Sequence, residues 1–222
     1  MSDQSDSRSA FRIPHSAFRD PPMSQPRPTP PALLVIGALV AADLDWPTVP
    51  AALRQALGPE AAIRGPLAFD QTNYYEPEIG PGLQRYFIAM ADPFDPGRLA
   101  ETKIATNCLE ERFRRPGAGR RVNLDPAALT LANFVLATGK GFAHRPYLGQ
   151  GIYADLTLMW KQNGWQDLPW TYPDYRTDAV KAILTEFRNY YRGRLRADWR
   201  TAVQAPHPPD PSCAAGNDLE GE

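Results

Sequence analysis

The sequence predicts an α+β fold: a ferredoxin-like βαββαβ unit extended by a C-terminal antiparallel hairpin and a final amphipathic helix. Three observations predict it. Apolar runs and helical stripes alternate in that order between Leu33 and Asp125. Ile152–Lys161 alternates with period two, and Asn163-Gly164 after it marks a tight turn. From about Asp178 to Asp198, Val180, Ile183, Leu184, Phe187 and Tyr191 recur on one helical face.

The first element is Leu33–Leu39, a continuous apolar run expected of a buried central strand. Asp45 or Thr48 is placed to cap a helix carrying Val49, Leu53, Ala56 and Leu57, and Gly58 stops it. Ala62–Phe69 reads as a strand, and Asp70–Pro81 as a loop rich in Tyr, Glu, Pro and Gly. Gln84–Met90 returns as a strand with Tyr86, Ile88 and Met90 on one face. Pro96–Arg114 is a helix whose expected apolar stripe is Ile104, Ala105, Cys108, Leu109 and Phe113. Arg121–Asp125 is a short strand, whereas Leu129–Thr138 fits a helix or a strand equally well. In Ile152–Lys161, Ile152, Ala154, Leu156, Leu158 and Trp160 should point one way. Tyr153, Asp155, Thr157, Met159 and Lys161 should point the other.

Residues 32–200 are thus expected to be one domain between two tails. Residues 1–31 are rich in Pro and hold the near-repeat Ser9-Ala10-Phe11-Arg12 and Ser16-Ala17-Phe18-Arg19; residues 205–222 end acidic. Disorder is the expectation for both, and a translation start at Met23 is an open alternative to Met1. The net charge of −1 exerts no general pull on nucleic acid or membrane. Ala32–Ala42 is far short of the roughly 20 apolar residues that a membrane-spanning helix needs. Two cysteines, Cys108 and Cys213, are too few for a disulfide framework or a Cys-based metal site. The cytoplasm is the simplest compartment.

The most chemically suggestive segment is Lys140–Asp155. Lys140, His144 and Arg145 stand beside Gly149 and Gly151, a grouping that can hold an anion through charge-assisted bonds and close backbone approach. The same residues suit a solvated loop with glycines at a hairpin turn. His144 is the only histidine between the two tails, so it is the candidate general base, with Asp155 and Asp125 as the catalytic carboxylates. If their strand faces coincide, Arg121, Asn123, Asp125, Tyr153 and Asp155 line one surface of the sheet. Otherwise that surface is wet and carries ion pairs of small energetic weight. No dedicated metal site is expected; a metal would depend on Asp125 and Asp155, a donor set suiting Mg²⁺ or Mn²⁺ over Zn²⁺. Lys103, Asn107 and Glu110 share one helix face, and Lys103 is a further candidate ligand.

Four blocks carry a family resemblance: Phe69-Asp70-Gln71-Thr72-Asn73-Tyr74-Tyr75, Arg121-Val122-Asn123-Leu124-Asp125-Pro126, His144 through Asp155, and Trp170-Thr171-Tyr172-Pro173-Asp174-Tyr175. In this order they resemble an uncharacterised bacterial family catalogued as domain of unknown function 4416, over about Leu33–Leu195. The resemblance implies no established activity. The chain departs from the family pattern at Ala127, where Gly is usual, and at Asp155, where Glu is usual. The sequence lacks the Gly-x4-Gly-Lys-Ser/Thr loop of a nucleotide triphosphatase.

Three functions remain in competition. The first is binding of, or action on, a phosphate-bearing small molecule or nucleotide; its cofactor, if there is one, is unknown. The second is a non-catalytic protein-interaction module that uses Trp170, Tyr172 and Tyr175. The third, least favoured, is RNA binding by Arg188, Arg192, Arg194, Arg196 and Arg200 of the last helix, which read first as a solvated face.

Overall fold

The computed structural model describes residues 29–117 and 119–197. Expectations for the tails outside those bounds, including Met23, Asp198 and Arg200, lie outside the described residues. The architecture is α+β. Eight strands form one sheet in the order β2-β3-β1-β4-β5-β7-β6, with β8 also paired to β7. Every pairing is antiparallel.

β1 (Ala32–Val40) is buried along its whole length because both faces of the sheet are covered. Ala32, Leu34, Ile36, Ala38 and Val40 pack with Val49 and Leu53 of α1 (Thr48–Leu57) and Leu99 and Leu109 of α3 (Leu99–Arg112). Leu33 and Val35 face the other way, toward Val180, Leu184, Phe187 and Tyr191 of α4 (Asp178–Ala197). The molecule is therefore three layers, helix, sheet and helix, and each large apolar side chain buried between them contributes about 1.5–3 kcal/mol. α1 has no side-chain cap, so Asp45 and Thr48 do not play that role; Thr48 Oγ1 donates to the Asp45 carbonyl.

The remaining strands are β2 (Glu60–Ala68), β3 (Gln84–Phe94), β4 (Val122–Leu129), β5 (Asn133–Thr138), β6 (Tyr147–Gly149), β7 (Ile152–Lys161) and β8 (Gly164–Asp167). A single helical turn, α2 (Glu76–Ile79), lies between β2 and β3. The ambiguous stretch Leu129–Thr138 resolves into the end of β4, a turn and β5. Thr130 Oγ1 accepts from the amides of Ala132 and Asn133, which turns the chain before a helix can nucleate.

Three local expectations are corrected. The β7–β8 turn has Gln162 (φ 50°) and Asn163 (φ 63°) at its centre, while Gly164 already pairs with Lys161. In α3 the buried stripe is Thr102, Lys103, Thr106, Leu109 and Glu110; Ile104, Ala105 and Cys108 are only half-buried and Asn107 is exposed. In β7 the alternation breaks. Phe134 pairs with Leu158 and Val135 with Leu156, so Thr157 is an extra residue in a bulge. The bulge puts Asp155, opposite Leu136, on the same sheet face as Leu158 and Trp160, the face covered by α4.

The β4–β5 contact is short for a covalent reason. Pro126 turns the same backbone edge toward β5 as Leu124, two residues before it, and has no N–H to give. Pairing accordingly runs only over Ala127–Leu129. Ala127 is fully buried there, against Val35 and Leu136, so a side chain fits where the family has Gly.

Candidate functional site

The split between β4 and β5 leaves the backbone edge of Leu124 without a strand partner. Two side chains of α3 fill it. Glu110 Oε1 accepts from the Leu124 amide (2.7 Å), and Lys103 Nζ donates to the Leu124 carbonyl (2.8 Å). This is why the buried stripe of α3 is polar: a buried backbone group left unpaired costs about 1–3 kcal/mol. Lys103 Nζ also reaches Asp125 Oδ1 at 3.0 Å and Glu110 Oε1 at 3.7 Å. Asn123 Nδ2 donates to Asp125 Oδ2 (2.6 Å), and Arg120 closes the network on Glu110 and Glu78.

These neighbours set the two carboxyls apart. Burial pushes the Asp125 carboxyl up, but the charges of Lys103 and Arg85 and the bonds from Lys103 and Asn123 outweigh it and hold the pKa below the ordinary value. Burial raises Glu110 and wins over Lys103 and Arg120. A lowered carboxylate contributes stability that is fully present above the ordinary pKa of 3.8 and disappears as pH falls through the folded value. Asp125→Asn is therefore expected to lower the urea midpoint more at neutral pH than at about pH 3, because the lost term is already fading at acid pH. Equal losses at both pH values would contradict this assignment.

The second centre surrounds Asp155, whose side chain is 0% exposed. Arg145 Nε donates to Asp155 Oδ2 (2.8 Å), its Nη1 to the Lys140 carbonyl (2.8 Å), and its Nη2 to Tyr172 Oη (2.6 Å). All three guanidinium nitrogens are thus occupied, and Arg145 ties β7 to two loops. Thr157, the bulge residue, donates to the Asp155 carbonyl (3.1 Å) and receives Thr171 Oγ1 on its own carbonyl (2.5 Å). The His144 ring stacks on Trp170 at 4.6 Å between centroids and meets the edge of Phe142 at 5.3 Å. Its Nε2 lies 3.5 Å from Asp155 Oδ2, and among the described residues this buried nitrogen has no hydrogen-bond partner.

A third pair, absent from the sequence expectations, lies beside these. Arg85 Nη2 donates to Asp174 Oδ2 at 2.5 Å, both side chains being buried. The rings of Phe69, Phe87 and Tyr175 lie 5.2–5.7 Å from the guanidinium, whose Nε and Nη1 have no hydrogen-bond partner among the described residues. Asp174 is thus spent on Arg85, and Thr177 Oγ1 accepts the Val180 amide at the start of α4.

Tyrosines join the centres. Tyr172 has its pKa raised to about 12, by burial first and by the charges of Asp155 and Asp125 next. Tyr75 is raised by burial and then by Asp125. Both carboxylates therefore act on one aromatic layer. Asp125 feels burial as its largest single influence, yet its side chain keeps 22% exposure.

Asn123, Asp125 and Asp155 thus occupy the same covered sheet face, which is not a wet one. The other candidates are placed around or away from it. Lys103 enters from α3 at the β4–β5 split. Lys140 lies at the surface, its Nζ on Tyr74 Oη (2.5 Å) and 4.5 Å from that ring's centroid. Tyr153 packs on Tyr147. Arg121 turns away to the Phe113 carbonyl. Gly149 (φ 114°) and Gly151 (φ 76°) make the β6–β7 turn with Gln150 (φ 53°), and a Cβ on either would meet nothing within 4 Å. In α4, Arg188 donates to the Leu131 carbonyl and lies over Trp160, and Arg192 and Arg196 are exposed.

Sequence reasoning missed Arg85 and misjudged Glu110 as a surface residue. Glu110 had an available signal, the seven-residue spacing from Lys103 through Thr106 on one stripe; Arg85 had none. Two hollows are lined without Asp125 or Asp155. One of about 530 Å³ runs between Pro66–Asp70 and Gly82–Gln84; one of about 220 Å³ borders Arg85, Asp174 and Thr177. Among the described residues no group of three or more His, Cys, Asp or Glu is placed to hold a metal ion, and no helix is long and apolar enough to cross a membrane.

The family model described as domain of unknown function (DUF4416) matches residues 30–191. No curated protein and no solved structure matches the chain.

Proposed function

Because the chain belongs to the DUF4416 family, its role has to be read from its own geometry, and we propose that it binds a phosphate-bearing small molecule, such as a nucleotide or sugar phosphate, where the Asp125 carboxylate meets solvent on the sheet face it shares with Asp155. The observation that carries this reading is Asp125: a carboxylate deep in the molecule, held ionised by Lys103, that still meets solvent. Charge held in so buried a place is expensive, and such groups gather at functional sites.

The phosphate belongs at the rim. Lys140 there contacts Tyr74 and, among the described residues, pairs with no carboxylate. Ligand hydroxyls or amino groups belong deeper, as donors to Asp125, since a phosphate beside two carboxylates would be repelled. Arg145 serves by positioning the loop, and Tyr74 and Trp170 offer ring faces to a base. If the protein also acts on its ligand, the His144–Asp155 pair is the proton-handling part of the proposal and Asp125 the group that orients the substrate. A cytoplasmic setting belongs to the same reading. So does a ferredoxin-like description of the first half, supported by the order β2-β3-β1-β4 with α1 and α3 on one face.

A thermal-shift screen with nucleotides and sugar phosphates tests the proposal. A true ligand at a hundredfold over its Kd should raise Tm by about 5–10 °C. Lys140→Met should lose most of that shift while keeping the unliganded Tm. No stabilisation by any compound, or equal stabilisation of Lys140→Met, defeats the idea.

One observation favours an interaction module instead: Phe142, Tyr147 and Leu148 are 68%, 61% and 42% exposed. Trp170 is exposed beside them, but Tyr175 is buried and cannot join such a surface. In that reading Phe142→Ser/Tyr147→Ser abolishes capture of a protein partner, and no phosphate-bearing compound raises the Tm of the parent chain.

A further inference from the structure

The smaller hollow has a buried ion pair in its wall. Arg85 and Asp174, with side chains only 5% and 7% exposed, both line this space of about 220 Å³. The phosphate reading makes no use of them. Asp174 takes Nη2 of the guanidinium, which leaves two nitrogens. Nη1 lies over the sheet at Gly37, 3.4 Å from where a Cβ would stand, and Tyr175 Oη is 2.9 Å from the same point. Nε is the third, and it too has no hydrogen-bond partner among the described residues. A buried guanidinium donor left unpaired costs free energy that an arriving acceptor recovers.

The rest of the lining carries both signs of charge and an apolar wall. The start of α4 borders the hollow through Thr177, Ala179 and Val180. Thr177 Oγ1 accepts the Val180 amide, and the Lys181 amide donates to the Thr177 carbonyl. The Ala179 amide has no acceptor among the described residues. An open amide in the first turn of a 20-residue helix attracts negative charge. Asp70, which accepts from Gln71, adds a second carboxylate to that of Asp174, while Leu67, Phe69 and Val180 supply apolar surface. A phosphate would meet two carboxylates here and one cation that is already paired. A molecule with one charge of each sign matches the lining. The volume, below the roughly 300–1,000 Å³ of pockets for drug-sized ligands, limits it to a small one.

We propose that this hollow binds a free α-amino acid. The carboxylate accepts from Arg85 Nε and the Ala179 amide, the ammonium donates to Asp174 and Asp70, and the side chain lies along Leu67, Phe69 and Val180. The site is separate from the phosphate position and does not depend on it, since neither Lys140, Asp125 nor Asp155 lines the hollow.

A thermal-shift series on the full chain with each of the common L-amino acids tests it, followed by calorimetric titration with the most stabilising. At a hundredfold over its Kd that amino acid should raise Tm by about 5–10 °C. Its methyl ester, which has no carboxylate, and its N-acetyl derivative, which has no ammonium, should each bind about tenfold more weakly or worse. Ala179→Pro removes one amide at a first-turn position that tolerates proline, and should weaken binding about tenfold. Asp70→Asn, at the surface, should weaken it about two- to fivefold. Arg85→Leu strands Asp174 and so disturbs folding as well, which is why the two exposed positions carry the test. Lys140→Met should bind the amino acid as the parent chain does. No stabilisation by any amino acid, undiminished binding of the ester and the N-acetyl derivative, or unchanged affinity in both Ala179→Pro and Asp70→Asn overturns the proposal. Loss of binding in Lys140→Met overturns it too, because the amino acid would then sit at the phosphate position.

Discussion

Arg145→Ala is expected to cost about 3–5 kcal/mol of folding stability, because it leaves an ionised carboxylate buried without its cation. Asp155 is 0% exposed, and Arg145 Nε is its closest charged partner at 2.8 Å. The loss reaches further than one pair. The Lys140 carbonyl and Tyr172 Oη each lose a donor, so the loop bearing Lys140 and His144 comes free of β7. His144 Nε2 at 3.5 Å offers poor replacement. Arg145→Lys restores the charge without the three-way fork, and should recover only part of the loss. Urea denaturation followed by tryptophan fluorescence measures both. A cost below about 1 kcal/mol for Arg145→Ala would contradict the buried ion pair described.

Lys103→Ala should be comparably severe, at about 3–5 kcal/mol, for a related reason. Its ammonium serves Asp125, Glu110 and the Leu124 carbonyl, all at the β4–β5 split where no strand replaces it. Lys103→Met keeps most of the buried stem and removes the charge alone. It should still lose most of the stability, and acid unfolding should begin at higher pH because Lys103 is the largest of the influences that lower the Asp125 carboxyl. If Lys103→Met matches the parent chain, the network is ornamental to the fold.

Much of the fold was legible in local pattern. β1 is a continuous apolar run because it is covered on both faces, and α4 shows a clean stripe because only one of its faces is covered. Misreadings arose where backbone geometry, not hydrophobicity, decides burial. One extra residue at Thr157 moves Asp155 from the outer set to the covered face, and period-two counting cannot detect a bulge. Pro126 cuts short the β4–β5 ladder, so α3 has to present Lys103 and Glu110 inward where a hydrophobic stripe was expected at Ile104 and Cys108. His144, Arg145 and Asp155 were foreseen as a group and do meet. Asp125 and Asp155 share one sheet face, although each is held by its own cation. Arg121 was foreseen in the site and turns elsewhere, since its guanidinium fills the carbonyl at the end of α3. Arg85 was invisible because its partner Asp174 lies 89 positions away.

The central claim is that phosphate-bearing molecules bind with their phosphate at Lys140, on the loop that also carries His144. The most direct measurement is a titration of the histidine ring resonances with AMP and, separately, ribose 5-phosphate, using His144→Gln to assign the His144 signals against those of His15 and His207. The claim predicts a saturable shift of the His144 ring by at least one of them, accompanied by a change in the ligand's phosphorus resonance and lost in Lys140→Met. His144 signals that stay fixed at millimolar concentrations of both compounds would contradict it.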